Sequence, residues 1–348
     1  RRLLDRVRTR PELHSSYAAG NLCNLLVAVE GDLSHLDFSK LTIRNADLSA
    51  TRLTQSRMVD AELVDTEIAQ TFGNILACAA SERGGWVAAA GTDNDVWLWD
   101  RSGHQQARFV GHSNWVRDLS FNDDGTLLAS VSSDGALRIW DTGGADLRLT
   151  IEAHPMRIWS VAWSGHGILT ASQDCTLKLW SELNGSLVGV LTGHAGPVTT
   201  VDAVPSGDVA FSGGGDGLVR SWDLSTCRAI DVRAVAADIS AVRSYGQDRL
   251  IVGTRDGRII VIEQQIGHFG TSDQLADGLS CVNSLDVDDR GALVSAHDDG
   301  GLAIWDLAQM RLVTRLGGHL SRTTSARFRG CDLLVSGGED QTIRLWDT

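Results

Sequence analysis

Gly111 to Asp141 reads GHSNWVRDLSFNDDGTLLASVSSDGALRIWD. After Gly-His comes an alternating apolar run from Val116 to Phe121, then the polar turn Asn122–Gly125. A second alternating run spans Leu127 to Val131. A turn at Ser133-Asp134-Gly135 leads to a third run that closes on Trp140-Asp141. Alternation marks half-buried strands and Gly/Asp pairs mark tight turns, so the stretch predicts a three-stranded antiparallel meander. A single meander cannot bury both faces, and further copies are expected.

The copies close on Trp99-Asp100, Trp140-Asp141, Trp180-Ser181, Trp222-Asp223, Trp305-Asp306 and Trp346-Asp347. A seventh falls at Ile262-Glu263, where RDGRIIVIE aligns with SDGALRIWD. The interval is close to forty residues throughout. With Gly-His early and Trp-Asp late, the pattern resembles the WD40 family over Ile68 to Thr348. The resemblance implies an all-β, seven-bladed β-propeller. It also implies a hydrogen-bonded tetrad within a blade, carried here by His112, Ser130, Asp134 and Trp140. The matching sets are His154, Thr170, Asp174 and Trp180; His194, Ser212, Asp216 and Trp222; and His319, Ser336, Asp340 and Trp346. In each, carboxylate, imidazole, hydroxyl and indole can pair in series and leave no buried polar group orphaned. A Ser/His/Asp set also invites a catalytic reading, but four copies with the hydroxyl in mid-strand point to structure. Three repeats depart from the pattern. The first has Asp93 and Trp99 with Ala89 and Thr71; the fifth has Val252, Asp256 and Ile262 with no His. The sixth has Ser295, Asp299 and Trp305, with Asp277-Gly278 in place of Gly-His.

Composition narrows the function. A net charge of −13 argues against a sequence-independent grip on nucleic acid. No apolar run reaches the ~20 residues of a membrane span. The six cysteines stand singly, some in apolar strands (Cys78, Cys227), which reads as reduced thiols in a cytoplasmic protein. Lys occurs only at Lys40 and Lys178, and neither follows Gly, so GxxxxGK[ST] is absent. GxSxG, HExxH and paired zinc half-sites are absent as well. Asp286 to Gly291 grazes a calcium-loop pattern, but Arg290 holds a ligand place and His297 stands where the final Glu belongs. No cofactor, metal or catalytic residue is expected.

Ahead of the repeats, residues 1–30 read as a helical linker. Pro11 breaks the first piece, Ser15 or Ser16 caps a helix over Tyr17 to Val29, and Leu22, Leu25, Leu26 and Val29 form its apolar stripe. Over 31–66 the period becomes five: Leu33, Phe38, Ile43, Leu48, Leu53, Met58, Leu63 and Ile68 recur at every fifth place. Five fits neither a helix nor a flat strand. The stretch resembles the pentapeptide-repeat family, which implies a short square β-solenoid. The propeller takes 67–348. Its last repeat ends after a third strand, and residues 64–69 are expected to supply the missing outer strand and close the ring. The chain begins on Arg1 and reads as cut from a longer polypeptide. The order of helix, pentapeptide run and WD40 repeats resembles the C-terminal part of bacterial NACHT or NB-ARC signalling ATPases. That implies a sensing or autoinhibitory module with protein partners, no nucleic acid and no membrane. A free-standing scaffold and a propeller enzyme are the alternatives.

Strand one of each blade starts just after Gly-His and strand two ends at the Asp turn, so both points lie on one rim. Trp115 and Arg157 stand there on neighbouring blades, with Asp238, Arg255, Asp298, Arg322 and Glu339 further round. Exposed Trp and Arg dominate binding hot spots, and these seven residues are the expected partner-binding face.

Overall fold

The computed structural model describes residues 7, 17–30, 33, 36–46, 48, 57, 61–64, 73–204, 207–276, 279–331 and 333–347. They fall into two compact units, 1–71 and 72–348.

In the first unit, α1 spans Ala18–Glu30, shifted by one residue from the expected helix. Its buried face is Ala19 and Cys23, with Leu22 and Leu26 partly buried beside them. These are i, i+3, i+4 and i+7 positions. Leu25, expected in the stripe, lies further round the cylinder and is 58% exposed. Gly20 sets the approach to β1 (Thr42–Arg44), because a Cβ there would lie 1.8 Å from the Arg44 carbonyl oxygen. β1 pairs in parallel with β2 (Glu62–Val64) as Thr42↔Glu62, Ile43↔Leu63 and Arg44↔Val64. A parallel bridge joins Asp37 to Arg57 with the same offset of twenty residues. Leu33, Phe38, Ile43 and Leu48 are all fully buried. The expected caps Ser15 and Ser16, the period-five positions Leu53, Met58 and Ile68, and stretch 65–69 lie outside the described residues, as do Asp277 and Gly278.

The second unit is an all-β, seven-bladed propeller. The innermost strands are Ile75–Ser81, Val116–Phe121, Ile158–Ser164, Val198–Ala203, Ile239–Tyr245, Val282–Val287 and Thr323–Arg329. Blades 1 to 6 are four-stranded antiparallel sheets, and blade 7 shows three strands among the described residues. The organising repeat forms as read: Val116–Phe121, Leu127–Ser132 and Ala136–Asp141 pair in sequence. Gly135 has φ +83° at its turn, and a Cβ there would meet the His154 carbonyl at 2.3 Å. Blades pack face to face through apolar side chains. Trp140 of blade 2, for instance, stacks on Phe109 of blade 1 with ring centroids 4.9 Å apart.

Every innermost strand carries a β-bulge between its first and third residues. The bulged residues are Leu76, Arg117, Trp159, Thr199, Ser240, Asn283 and Thr324. A bulge breaks strict alternation and re-aims one side chain. The third residues stitch the blades. The Asp118 carboxylate accepts from the Val161 amide (3.0 Å), Ser160 from Val201 (3.3 Å), Thr200 from Val242 (3.1 Å), and Ser325 from Cys78 (3.1 Å). Burial of such amides requires these partners.

Candidate functional site

The four complete tetrads assemble. His112 Nδ1 lies 3.0 Å from Asp134, its Nε2 lies 2.8 Å from Ser130 Oγ, and Trp140 Nε1 donates to that oxygen at 2.8 Å. The sets His154–Thr170–Asp174–Trp180, His194–Ser212–Asp216–Trp222 and His319–Ser336–Asp340–Trp346 repeat this geometry with distances of 2.7 to 2.9 Å. An Nδ1–H imidazole satisfies the chain: it donates to the carboxylate, accepts from the hydroxyl, and the hydroxyl accepts from the indole. The hydroxyls of Ser130, Thr170, Ser212 and Ser336 belong to fully buried residues, away from solvent and from any substrate.

Burial lowers the imidazole pKa of His112, His154 and His194, outweighing the neighbouring carboxylates, so the pairs are neutral imidazole to carboxylate. For Asp134, Asp174 and Asp216, burial opposes ionisation, but the imidazole together with side-chain and main-chain donors holds the carboxyl below its usual range. The same balance brings Asp340 to about 2. All these folded values are depressed, so their stabilisation is complete above the unfolded values and is lost as pH falls. We expect the melting temperature to decline first below the ordinary His value of 6.5 and again below the ordinary Asp value of 3.8, as proton uptake favours the unfolded chain. A pH series of thermal melts checks this; a melting temperature that rises between neutral pH and about 5 would contradict it.

Blade 6 rebuilds its tetrad from an unexpected residue. His297, two places after Ser295 on the same strand, puts Nε2 2.8 Å from Ser295 Oγ, and Trp305 Nε1 donates to that oxygen at 2.8 Å. Its Nδ1 lies 3.2 Å from the Ser280 carbonyl rather than from Asp299. Sequence reading met His297 only as a failed calcium ligand. Blade 5 replaces the network with apolar packing of Val252 and Ile262 against Phe211, Val219 and Ile239. In blade 1, Trp97 donates to Asp93 at 3.2 Å.

The two rows of rim residues meet in all seven blades. The amides of Thr92, Ser133, Gln173, Gly215, Arg255, Asp298 and Glu339 donate to the carbonyls of Asn74, Trp115, Arg157, Pro197, Asp238, Cys281 and Arg322, at 2.9 to 3.2 Å. One face of the ring therefore carries every expected partner-binding residue. Trp115 is 46% exposed, and Arg157, Asp238, Arg255 and Asp298 are exposed as well. They do not form one patch. Arg322 donates to Asp298 and stands 3.7 Å from Glu339, a self-neutralised cluster. Trp115 and Arg157 are joined by two residues the sequence reading missed. Arg117 lies over the rings of both Trp115 and Trp159, 4.9 Å from each centroid, and Arg157 lies over Trp159 at 5.3 Å. Arg117 and Trp159 are bulge residues, and period-two reading gives no signal for where such a side chain points.

Between the innermost strands runs an axial cavity of about 910 Å3, lined at this mouth by Arg117, Trp159, Arg255 and Arg322. Deeper in it, Arg243 bridges Asp202 (2.9 Å) and Asp286 (3.1 Å). Burial opposes its charge, but the two carboxylates outweigh that and raise its pKa. Arg327 donates to Ser284 Oγ at 2.6 Å. Among the described residues, no cluster of His, Cys, Asp or Glu could hold a metal ion, and no helix is long and apolar enough to cross a membrane. None of the six cysteines forms a disulfide; burial pushes the Cys78 thiol up to about 12 and that of Cys23 to about 11, which suppresses the reactive thiolate.

The pattern described as "WD domain, G-beta repeat" matches residues 65–100, 103–141, 145–181, 185–223 and 310–347, more than half of the chain. The chain belongs to the WD40 family. The unmatched stretch 224–309 holds most of blades 5 and 6, two of the three blades that depart from the WD40 tetrad. Similar WD40 proteins include the DENN domain and WD repeat-containing protein SCD1 of Arabidopsis thaliana, 27% identical over 244 residues, covering 66% of this chain and 20% of that protein. Nuclear distribution protein PAC1 of Arthroderma benhamiae is 27% identical over 278 residues, 75% and 56% of the two chains. Cell division cycle 20.6, cofactor of APC complex, of Arabidopsis thaliana is 26% identical over 272 residues, 72% and 63%. The chain spans between a fifth and less than two thirds of the length of these relatives.

Proposed function

We propose that this chain is a non-enzymatic protein-recognition module that binds its partner on the rim face carrying Trp115 and Arg157. The observation behind this reading is the Trp115–Arg117–Trp159–Arg157 stack at the channel mouth, in which Trp115 and Arg157 are exposed and Arg117 and Trp159 half-buried. Stacked indoles and guanidiniums offer large, rigid contact area at small entropic cost, as hot spots do. The finer reading is the sensing or autoinhibitory C-terminal part of a larger bacterial signalling ATPase, acting in the cytoplasm. It rests on the order of helix, period-five segment and WD40 repeats. Six cysteines outside any disulfide fit a reducing compartment. A scaffold that assembles a complex is the second reading, favoured by one relative whose name makes it a cofactor of the APC complex. Binding of an upstream segment of the same polypeptide separates the two. On the first reading Trp115→Ala weakens that binding by ~2 kcal/mol with the melting temperature unchanged. Wild-type affinity from this variant would move the partner off this face.

We also propose that residues 31–66 are a pentapeptide-repeat solenoid and that residues about 64–69 complete blade 7. Burial at every fifth residue from Leu33 to Leu48 supports the first, as does the offset of twenty residues in both parallel pairings, four units of five. The first matched repeat begins at residue 65, ahead of the innermost strand of blade 1, where the next repeat has the outer strand Gln105–Phe109. An uncovered edge at Ile343–Asp347 would invite aggregation. A chain starting at Asn74 is expected to aggregate or melt several degrees lower, scored by light scattering and thermal denaturation. A monodisperse product with the parent melting temperature would refute the closure.

A further inference from the structure

The bulge residues divide the channel mouth into two halves. In blades 4 to 7 they are short and polar, and each hydrogen-bonds to a main-chain carbonyl of the following blade. Thr199 donates to Ile239 (2.5 Å), Ser240 to Val282, Asn283 to Thr323 (2.9 Å) and Thr324 to Ile75 (2.7 Å). These bonds staple four successive seams, including the one that closes the ring. In blades 2 and 3 the same position holds Arg117 and Trp159, which make no such staple. Arg117 Nε donates to Ser133 of its own blade (2.7 Å), and Trp159 Nε1 to Gln173 of its own blade (3.0 Å). They meet across the seam of blades 2 and 3 only by stacking, Arg117 over the Trp159 ring.

The guanidinium of Arg117 lies against two indoles, 4.9 Å from each centroid, and its Nε–H is taken by Ser133. Its two terminal NH2 groups have no partner among the described residues. Arg157, on the outer face of Trp159, has no ion-pair partner there either. Of the other arginines around the channel, Arg322 is matched by Asp298 and Arg243 by Asp202 and Asp286, while Arg255 on the far side of the mouth stands alone and is not stacked on an aromatic ring among the described residues. Burial and the charge of Arg157 both disfavour the charge on Arg117, and an added anion would relieve that. A chain of net charge −13 repels anions over most of its surface, so two uncompensated cations side by side reverse the local field.

We propose that the Trp115–Arg117–Trp159–Arg157 stack receives a carboxylate side chain from an acidic peptide segment of a protein partner. The inference rests on the rim-face reading above and adds the chemistry of the partner. The planar guanidinium edge matches a carboxylate in two parallel hydrogen bonds, and the flanking indoles exclude water from them. Binding is therefore salt-sensitive and depends on charge as well as contact area.

The test uses the full chain and three fluorescein-labelled peptides of one length, with Glu, Gln or Lys at alternate positions, followed by anisotropy at low and high salt. The Glu peptide is expected to bind and to lose affinity at high salt, while the Gln and Lys peptides do not bind. Arg157→Ala and Arg117→Ala should each reduce that affinity at least about tenfold, with Arg157→Lys falling between. Arg157 is exposed and carries the test if the Arg117 variant fails to fold. Equal binding of Glu and Gln peptides, both lost in Trp115→Ala, would overturn the carboxylate assignment and leave the rim-face reading standing. Binding untouched by Arg157→Ala, or no Glu-peptide binding at all, would overturn the inference outright. A phosphoserine peptide that binds where the Glu peptide does not would also overturn it.

Discussion

Arg243→Leu is expected to destabilise the propeller by about 3–5 kcal/mol, the cost of removing one partner from a buried charge cluster. Arg243 reaches Asp202 at 2.9 Å and Asp286 at 3.1 Å, and the three side chains are 24%, 9% and 15% exposed. The carboxylates keep their main-chain donors: Asp202 accepts from the Ser244 amide and Asp286 from the Phe328 amide, at 2.7 and 2.8 Å. They lose their counter-charge, however, and the nearby Arg327 stands 3.9 Å from Asp118. Adding Asp202→Asn and Asp286→Asn should recover a large part of the loss, because the uncompensated charge and not the missing contacts carries it. Urea denaturation with an unchanged m-value checks both statements. A loss under about 1 kcal/mol would mean that water in the channel screens the cluster as it does a surface pair.

Asp216→Ala is the second large effect. It orphans the His194 imidazole (2.9 Å) together with the amides of Ala195 (3.0 Å) and Leu218 (3.2 Å). Each buried donor left unpaired costs roughly 1–3 kcal/mol, so about 3 kcal/mol is expected in total, allowing for water reaching the exposed Ala195 amide. His194→Ala should cost about 2 kcal/mol through the orphaned Ser212 hydroxyl and Asp216 carboxylate. The double variant should cost clearly less than the sum, because the two residues belong to one chain of hydrogen bonds. Thermal or urea denaturation of the four species gives the coupling. Strict additivity would show that the imidazole and carboxylate do not act as a unit. His297→Ala in blade 6 gives a comparison in which the imidazole is backed by a main-chain carbonyl instead of a carboxylate.

The sequence by itself determined the blades. The strands Val116–Phe121, Leu127–Ser132 and Ala136–Asp141 follow from alternation and from Gly/Asp turns, which are local signals repeated seven times. The resemblance to WD40 repeats also implied the complete tetrads, and His112, Ser130, Asp134 and Trp140 come together in the blade as that resemblance implies. Tertiary structure alone decided three things. Ser295 takes its imidazole from His297 on its own strand, since the loop position that normally supplies it holds Asp277-Gly278 and the indole and hydroxyl still need a partner. The charge cluster of Arg243, Asp202 and Asp286 joins residues about forty positions apart on three blades, and only closure of the ring makes them neighbours. The rim site is the third case. Trp115 and Arg157 were readable from their place before the first strand, but Arg117 and Trp159, which join them, sit on β-bulges. Alternation assigns a side chain to one face or the other of a regular strand. At a bulge that rule lapses, and packing against the neighbouring blade fixes the direction.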